Sequence, residues 1–394
     1  MSREQELLTP PLYQGRVDRL RKRAVELGLD SVLLYDPSNI FYFAGFWGYS
    51  EIRPIWLFVP LEGSCSMVVP HIEVDAARLW TWVKDLHEWT EWTDPVLPSN
   101  WAAPLLDIVK ASRAAKRIGI EAATMSVSVL NLLRAALPAA EFVEIDRPLA
   151  ELRMVKDAAE LKLMRAGGLV AAAQLEGARS VLAEGVPEFE ITLAARAFGT
   201  RKAAELLGPD YYLMSPLVTG VQIMGSGPVR GAITHARAST YRLKRGDICT
   251  ICFCGQHYFA YYLGFDRQLL VSPPTPEQSR LLDVALEAHD AALAVIRPGV
   301  PAAEVDAAAV RVLESAGMIQ YRTHRTGRSV GASRQERPEL RDSDRMPLKP
   351  GMTFTVEPGI YVPGLGGARF GDTVAVTETG YENLTPAPYV WRGR

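Results

Sequence analysis

The spacing of hydrophobic and polar residues changes near residue 150, and this change divides the chain into two parts. In the first part, an amphipathic pattern predicts a helix over residues 17–30. Short apolar runs rich in β-branched and aromatic residues then predict strands. These runs are Ser31–Tyr35, Ile40–Phe46, Pro54–Pro60, Cys65–Pro70, Arg117–Glu121 and Phe142–Asp146. With a further helical stretch over 124–137, this alternation predicts an α/β domain with a mixed sheet.

The second part opens with some thirty residues of helical spacing, in which Asp157 and Glu160 form the pattern of a capping box. Thr275, Pro276 and Gln278 repeat that pattern at the start of a second predicted helix. This second helix is predicted to end at Arg297, a third helix covers 302–316, and strand-rich segments cover 247–271, 353–361 and 373–377. We therefore expect an α+β domain over 151–394, after a smaller domain over 1–150.

Composition excludes several classes of protein. The chain has 394 residues, of which 48% are hydrophobic and 22% are charged, with a formal net charge of −2. A globular fold is therefore expected, and nucleic acid is not an expected partner. We expect no membrane span, because no run of about 18 apolar residues occurs. The first residues lack the apolar core of a signal peptide and there are only four cysteines, so a cytoplasmic location is expected.

Five separate segments in the second part resemble the motifs of one superfamily, in the same order. They read RGDICTICFCGQHYFAYYLGFDRQLLV (245–271), HRTGRSVG (324–331), PGMTFTVEPG (350–359), GGARFGDT (366–373) and GYENLT (380–385). Together they resemble the creatinase, prolidase and methionine aminopeptidase superfamily. The resemblance implies a C-terminal pita-bread domain over 151–394 and a creatinase-type N-terminal domain over 1–150. It also implies a homodimer.

The metallopeptidases of that superfamily hold two divalent cations with carboxylates and one imidazole, which are ligands that such ions prefer. The resemblance places Cys252, Gly264, Arg328, Glu357 and Gly371 at those five ligand positions. Only Glu357 is a carboxylate, and a permanently charged arginine repels a metal ion. We therefore expect no metal and no other cofactor.

The finer resemblance is to creatinase, a metal-free member. It implies that His235 is the general acid and base, while Asp266 and Glu357 bind the guanidinium group of the substrate. It also implies that Arg53 reaches the site of the neighbouring subunit to bind a carboxylate, with Arg334 or Arg337 as a second carboxylate-binding residue. Further substrate-contact candidates are His324, Arg328, Tyr261 and Cys252.

Two carboxylates facing one pocket can bind a delocalised cation through charge-assisted hydrogen bonds. A neutral His235 can take a proton from water and return it to a leaving nitrogen. We therefore expect a metal-independent hydrolase of a C–N bond in a small zwitterionic amidino or guanidino carboxylate, or in a cyclic amidine of the kind that ectoine hydrolases open. Three other functions stay open, namely a binding module without activity, a lyase on the same fold and a residual Xaa-Pro peptidase.

Several residues have a simpler interpretation. Asp266 next to Arg267 is compatible with a plain salt bridge, and Arg328 can either hold a carboxylate or neutralise Glu357. Cys252 is compatible with a small buried hydrophobe, with a thiolate nucleophile served by His235, or with a thiolate metal ligand. Only the arrangement of these side chains in the fold separates the alternatives.

Overall fold

The structure is a computed structural model that describes residues 7–48, 53–208, 223–253 and 256–389. Among these residues, a first compact unit ends at Arg153 and a second begins at Met154. The boundary predicted at residue 150 falls inside the helix Asp146–Met154. None of the described helices combines the length and the hydrophobicity needed to cross a bilayer.

The first unit is built around one six-stranded sheet. Its helices are α1 (Pro10–Glu26), α2 (Pro37–Ala44), α3 (Val74–Trp80), α4 (Ala102–Ser112), α5 (Val127–Ala136) and α6 (Asp146–Met154). Its strands are β1 (Ser31–Leu34), β2 (Trp56–Pro60), β3 (Ser66–Pro70), β4 (Asp85–Trp89), β5 (Arg117–Ile120) and β6 (Glu141–Glu144). The strand order is β4-β3-β2-β1-β5-β6, with β2 antiparallel to both of its neighbours and the other pairs parallel. The predicted mixed sheet is therefore confirmed.

One prediction for this unit is wrong, because the apolar run Ile40–Phe46 belongs largely to α2 and not to a strand. The Asp36 side chain accepts the backbone N–H groups of Ser38 and Asn39 at 2.9 and 3.4 Å, and so caps the start of this helix. Gly45 ends it with a φ of 77°. Because the helix is buried on nearly every side, its sequence lacks the polar positions that reveal a helical period.

The second unit combines paired helices with several small sheets. Its helices are α7 (Ala158–Ser180), α8 (Glu188–Leu207), α9 (Gly227–Arg230), α10 (Pro276–Ala294) and α11 (Ala302–Ser315). The capping boxes predicted at Asp157 and Thr275 are both formed, since each side chain accepts the N–H three residues on. Helix α8, which the sequence pattern does not predict, packs along α7.

The strands of this unit form sheets of three, five and two strands. They are β7 (Ile223–Ser226), β8 (Ile248–Cys252), β9 (Gln256–Tyr258), β10 (Tyr261–Leu263), β11 (Asp266–Leu270), β12 (Gly327–Ser329), β13 (Glu336–Leu340), β14 (Thr353–Val356), β15 (Gly359–Val362), β16 (Gly366–Arg369), β17 (Asp372–Val376) and β18 (Tyr381–Asn383). The three-stranded order is β11-β8-β7 and the five-stranded order is β13-β12-β14-β17-β18. Two further antiparallel pairs are β9–β10 and β15–β16.

A backbone bridge joins the two larger sheets at one point. The N–H of Asp266 donates to the carbonyl of Gly371 at 3.0 Å, and the N–H of Gly371 donates back at 3.2 Å. The first residue of β11 is thereby fixed beside the residue that precedes β17. Helices α10 and α11 pack on a core that includes Phe354, Val356 and Ile360. This core supports the strands around the bridge.

Candidate active site

Two carboxylic acids meet where the sheets join. Asp266 begins β11, and Glu357 directly follows β14; they are 0% and 6% exposed, respectively. Cys252, which ends β8, pairs with Asp266 in the antiparallel register. The sulfur of Cys252 and one carboxylate oxygen each of Asp266 and Glu357 all lie within 4.8 Å of one another. The predicted convergence of Asp266 and Glu357 on one site is therefore present in the fold.

Each of these acids is paired with a buried or half-buried arginine of the same unit. Arg369, the last residue of β16, places Nη2 2.9 Å from Oδ1 of Asp266. Arg328 of β12 donates from Nη1 to Oε1 of Glu357, and from Nε to the carbonyl of Arg334 at 3.1 Å. An organic cation could therefore bind to these acids, as predicted, only if it displaced a guanidinium group.

The two carboxyl groups have pKa values far apart. Burial raises the pKa of Asp266 to about 7, although the charge of Arg369 acts in the opposite direction. Burial also disfavours the charged form of Glu357, but Arg328 and Arg369 outweigh it and lower the pKa of Glu357 to about 2. Because the two side chains are hydrogen-bonded to each other, they titrate as a coupled pair.

Gly264 and Gly371 stand at two positions where the resemblance places metal ligands. Neighbouring side chains fill the space that a larger residue would need at either position. A Cβ atom at Gly371 would lie 2.1 Å from Oδ2 of Asp266, and one at Gly264 would lie 2.3 Å from Cγ2 of Thr355. A carboxylate side chain at either position would collide with its neighbour. Asp266 and Thr355 therefore occupy the space that acidic side chains at positions 371 and 264 would need.

The remaining donors do not fit a pair of divalent cations. Asp266 and Glu357 already have guanidinium partners, which occupy the space and supply the positive charge. Cys252 is fully buried and disulfide-bonded, and its partner lies outside the described residues. A disulfide sulfur is not a thiolate, so the alternatives of Cys252 as a nucleophile or a thiolate ligand are not met in this state.

A chain of hydrogen bonds continues from Arg369 away from the acids. Arg369 bonds to the hydroxyl oxygen of Tyr361, and that hydroxyl donates to Nε2 of His324 at 2.9 Å. Nδ1 of His324 donates to the carbonyl of Arg325 at 2.8 Å, which requires the neutral tautomer protonated on Nδ1. Burial and the charge of Arg369 lower the pKa of His324 to about 4, so this imidazole is uncharged near neutrality.

His235 lies in the loop that follows α9, and this loop is tied down on both sides. Glu188, the first residue of α8, accepts hydrogen bonds from Arg230 at 2.9 Å and from the Ser239 hydroxyl at 2.7 Å. Thr234 and Thr323 share a hydroxyl–hydroxyl bond of 2.6 Å, which holds the loop against the segment before His324. Hydrogen bonds therefore hold the loop that carries His235 in place, although His235 itself is exposed.

The surroundings of His235 favour its neutral form. Partial burial lowers its pKa first, and the positive charges of Arg369, Arg237 and Arg328 lower it further. Glu357 acts in the opposite direction but is outweighed. A neutral imidazole with an accessible ring can accept a proton, which is the property required of a general base.

Four further residues are predicted to contact the substrate. Arg53 lies in the first unit, where Nε donates to Glu91 at 2.7 Å, and its reach toward a neighbouring subunit stays a prediction. The side chains of Arg334 and Arg337 are exposed, whereas Tyr261 is fully buried in β10.

Two further points differ from the sequence analysis. Arg267 does not form a salt bridge with the Asp266 side chain but with Asp372, at 2.8 Å. Arg369 and Tyr361 were missed as members of the site, although both lie in or beside quoted motifs. Their role depends on the side-chain convergence of β11, β15 and β16, which a motif pattern centred on metal ligands does not reveal.

Comparisons with known proteins match both units. The profile of metallopeptidase family M24 matches residues 162–378, and that of the creatinase/prolidase N-terminal domain matches residues 16–155. Agropine synthesis cyclase from Rhizobium rhizogenes is 36% identical over 386 residues, covering 95% of this chain and 96% of the relative. Xaa-Pro dipeptidase from Pyrococcus furiosus is 29% identical, covering 94% and 97%.

Solved structures show the same architecture. Prolidase from Pyrococcus horikoshii OT3 superposes with a TM-score of 0.81 at 25% identity, covering 95% of this chain and 99% of the prolidase. Xaa-Pro dipeptidase from Bacillus anthracis superposes with a TM-score of 0.82 at 26% identity, covering 95% and 98%. The fold is thus that of the pita-bread proteins with a creatinase-type N-terminal domain, as predicted. The chain belongs to metallopeptidase family M24.

Proposed function

We propose that this chain is a metal-independent enzyme that acts on a small carboxylate-containing molecule by general acid–base catalysis from His235. The reaction is addition to a trigonal carbon followed by departure of a leaving group. When water is the incoming group, the reaction is hydrolysis of a C–N bond. When a hydroxyl or amine of the substrate itself is the incoming group, the reaction is ring closure.

One observation carries the proposal. Where the family's peptidases are built around carboxylate ligands, the two acids of this chain are held by Arg369 and Arg328. Two fixed guanidinium groups supply positive charge at the place where a divalent cation would supply it. Such charges stabilise the negative charge that develops on a substrate oxygen when a nucleophile adds.

The proton transfers follow from the protonation states. Neutral His235 takes the proton of the attacking O–H or N–H group as the new bond to carbon forms. The imidazolium then returns that proton to the leaving nitrogen or oxygen as its bond to carbon breaks, so His235 ends in its initial state. Positioned proton transfer of this kind contributes roughly 10²–10⁴-fold to the rate.

The relatives indicate both kinds of incoming group. The name of the Rhizobium rhizogenes relative describes a cyclase, and the name of the Pyrococcus furiosus relative describes a dipeptidase. A cyclase and a hydrolase share the addition step and differ in whether water attacks. Solvent labelled with oxygen-18 separates them, because only hydrolysis incorporates the label into the product.

The test is a substrate screen with matched variants. Guanidino, amidino and ureido acids, and acids that carry an internal hydroxyl or amine, are incubated with purified protein in the presence of a strong chelator. We expect turnover that the chelator does not affect and that His235→Ala abolishes. The control His71→Ala changes a histidine paired with Glu88 in the first unit and is expected to be fully active. Turnover that requires added Mn²⁺ or Zn²⁺ would contradict the proposal.

A second candidate is an Xaa-Pro dipeptidase, which several relatives of similar length favour by name. The donor set described above argues against it. Hydrolysis of Ala-Pro by the metal-supplemented protein at a rate that His235→Ala and a chelator both suppress would favour this candidate.

The predicted homodimer with Arg53 in the partner's site remains part of the proposal. Size-exclusion chromatography with light scattering tests the oligomeric state. Arg53→Ala is expected to raise KM with little change in the elution volume, and an unchanged KM would remove Arg53 from the site.

A further inference from the structure

Arg328 is well placed to reach a ligand. Its Nε and Nη1 atoms bond to the Arg334 carbonyl and to Glu357. Within the described residues, Nη2 has no hydrogen-bond partner, and the side chain is 13% exposed. Because two of its three nitrogens are held, the guanidinium group presents Nη2 in a fixed direction, and this nitrogen can donate to a carboxylate oxygen with little loss of entropy.

The charge around His235 supports the same interpretation. Arg369, Arg237 and Arg328 act on His235 with positive charge, and Glu357 is the acid that acts on it with negative charge. Glu357 is in turn bonded to Arg328. The immediate surroundings of His235 are therefore positively charged, although the chain as a whole has a net charge of −2.

Asp266 does not cancel the positive charge around His235. Asp266 is fully buried and is bonded to Arg369, so its field is neutralised within the cluster. Glu357 is likewise bonded to Arg328, so a guanidinium or amidinium ion would have to displace one of these two arginines in order to reach an acid.

We propose that Arg328 is the specificity-determining residue of this site and that its Nη2 atom donates to the carboxylate group of an anionic substrate beside His235. The inference rests on the proposed function for its catalytic meaning. It replaces the predicted binding of an organic cation by Asp266 and Glu357. A cationic group on the substrate, if present, points away from the two arginines.

The test measures binding and does not require turnover. Protein labelled with carbon-13 at histidine Cε1 is titrated with pH in the presence of succinate or of methylguanidinium at constant ionic strength. The His235 resonance, one of six histidine signals, is assigned by its loss in His235→Asn. A carboxylate bound at Arg328 neutralises nearby positive charge, so we expect succinate to raise the pKa of His235 by roughly half a unit.

Two variants link the effect to Arg328. Arg328→Gln is expected to weaken succinate binding at least about tenfold, because a hydrogen bond between charged groups is lost. If that variant does not fold, Arg328→Lys keeps a positive charge beside Glu357 but lacks the planar fork, and it is expected to weaken succinate binding as well. Arg345→Gln, at an exposed position of the same unit, is the matched control and is expected to bind as the native chain does.

Three outcomes overturn the inference, namely binding of methylguanidinium with a fall in the His235 pKa, binding of neither probe, or equal succinate affinity in Arg328→Gln. The proposed function fails separately, through metal-dependent turnover or through no turnover of any substrate. Succinate binding in an inactive protein would therefore leave the inference standing and remove the proposed function.

Discussion

The packing of Asp266 into the space beside Gly371 makes a sharp prediction for Gly371→Ala. The new Cβ atom would lie 2.1 Å from Oδ2 of Asp266, about 1.3 Å inside the 3.4 Å at which ordinary contacts begin. Asp266 is fully buried, and its other oxygen is held 2.9 Å from Arg369, so it cannot move aside without weakening that pair. Overpacking alone costs about 1–3 kcal/mol, and loss of the hydrogen bond between Asp266 and Arg369 costs about 1–3 kcal/mol more. We expect Gly371→Ala to lower the free energy of unfolding by about 3 kcal/mol.

Urea denaturation followed by circular dichroism measures this change. The matched control is Gly380→Ala in the same unit, where the nearest atom to a new Cβ atom is 4.0 Å away. The control is expected to change the free energy of unfolding by less than about 0.5 kcal/mol. If Gly371→Ala behaves like Gly380→Ala, Asp266 does not occupy the space assigned to it, and the argument that the former ligand positions are filled is refuted.

Three other predictions follow from individual side chains. His235→Ala is expected to lower kcat by roughly 10²–10⁴-fold while changing the melting temperature no more than His71→Ala does, and a parallel loss of kcat in both variants would contradict the role of His235. Arg369→Met leaves the buried Asp266 carboxyl group without its hydrogen-bond donor, so we expect a loss of about 1–3 kcal/mol at pH 7; a variant as stable as the native chain in urea denaturation would show that the pair is not formed. Burial raises the pKa of Glu121 to about 7 in spite of three hydrogen bonds to its carboxylate, so the stability it contributes is fully present below pH 4.5 and is lost as the pH rises toward 7. The free energy of unfolding of the native chain should therefore fall relative to that of Glu121→Gln by about 3 kcal/mol between pH 4 and pH 8, and a difference independent of pH would show that Glu121 ionises normally.

Local sequence signals predicted the parts of the fold that depend on local chemistry. The capping boxes at Asp157 and Thr275 could be predicted because the cap and its partner are three residues apart. The run Ile40–Phe46 was misassigned because α2 is buried on nearly all sides. Helix α8 was missed because its apolar residues are spread around its circumference and its burial depends on α7.

The site was predictable only in part, for a related reason. Motif order identified Glu357, His235 and Asp266 as candidates, and it also showed that ligand positions had lost their acids. It did not show that Arg369 pairs with Asp266, because these residues are about a hundred positions apart and are brought together only by the folding of β11 against β16. The partner of an acid determines whether that acid can bind a substrate cation, so the expected substrate charge changed once the fold was known.

The central claim is that guanidinium groups stand where the family's peptidases hold metal ions. Metal analysis of protein expressed in medium supplemented with Mn²⁺ and Zn²⁺ and purified without chelator, together with calorimetric titration of Mn²⁺, tests it most directly. The account predicts well below one divalent ion per chain and no heat of binding at micromolar concentration. Two tightly bound ions per chain would contradict it.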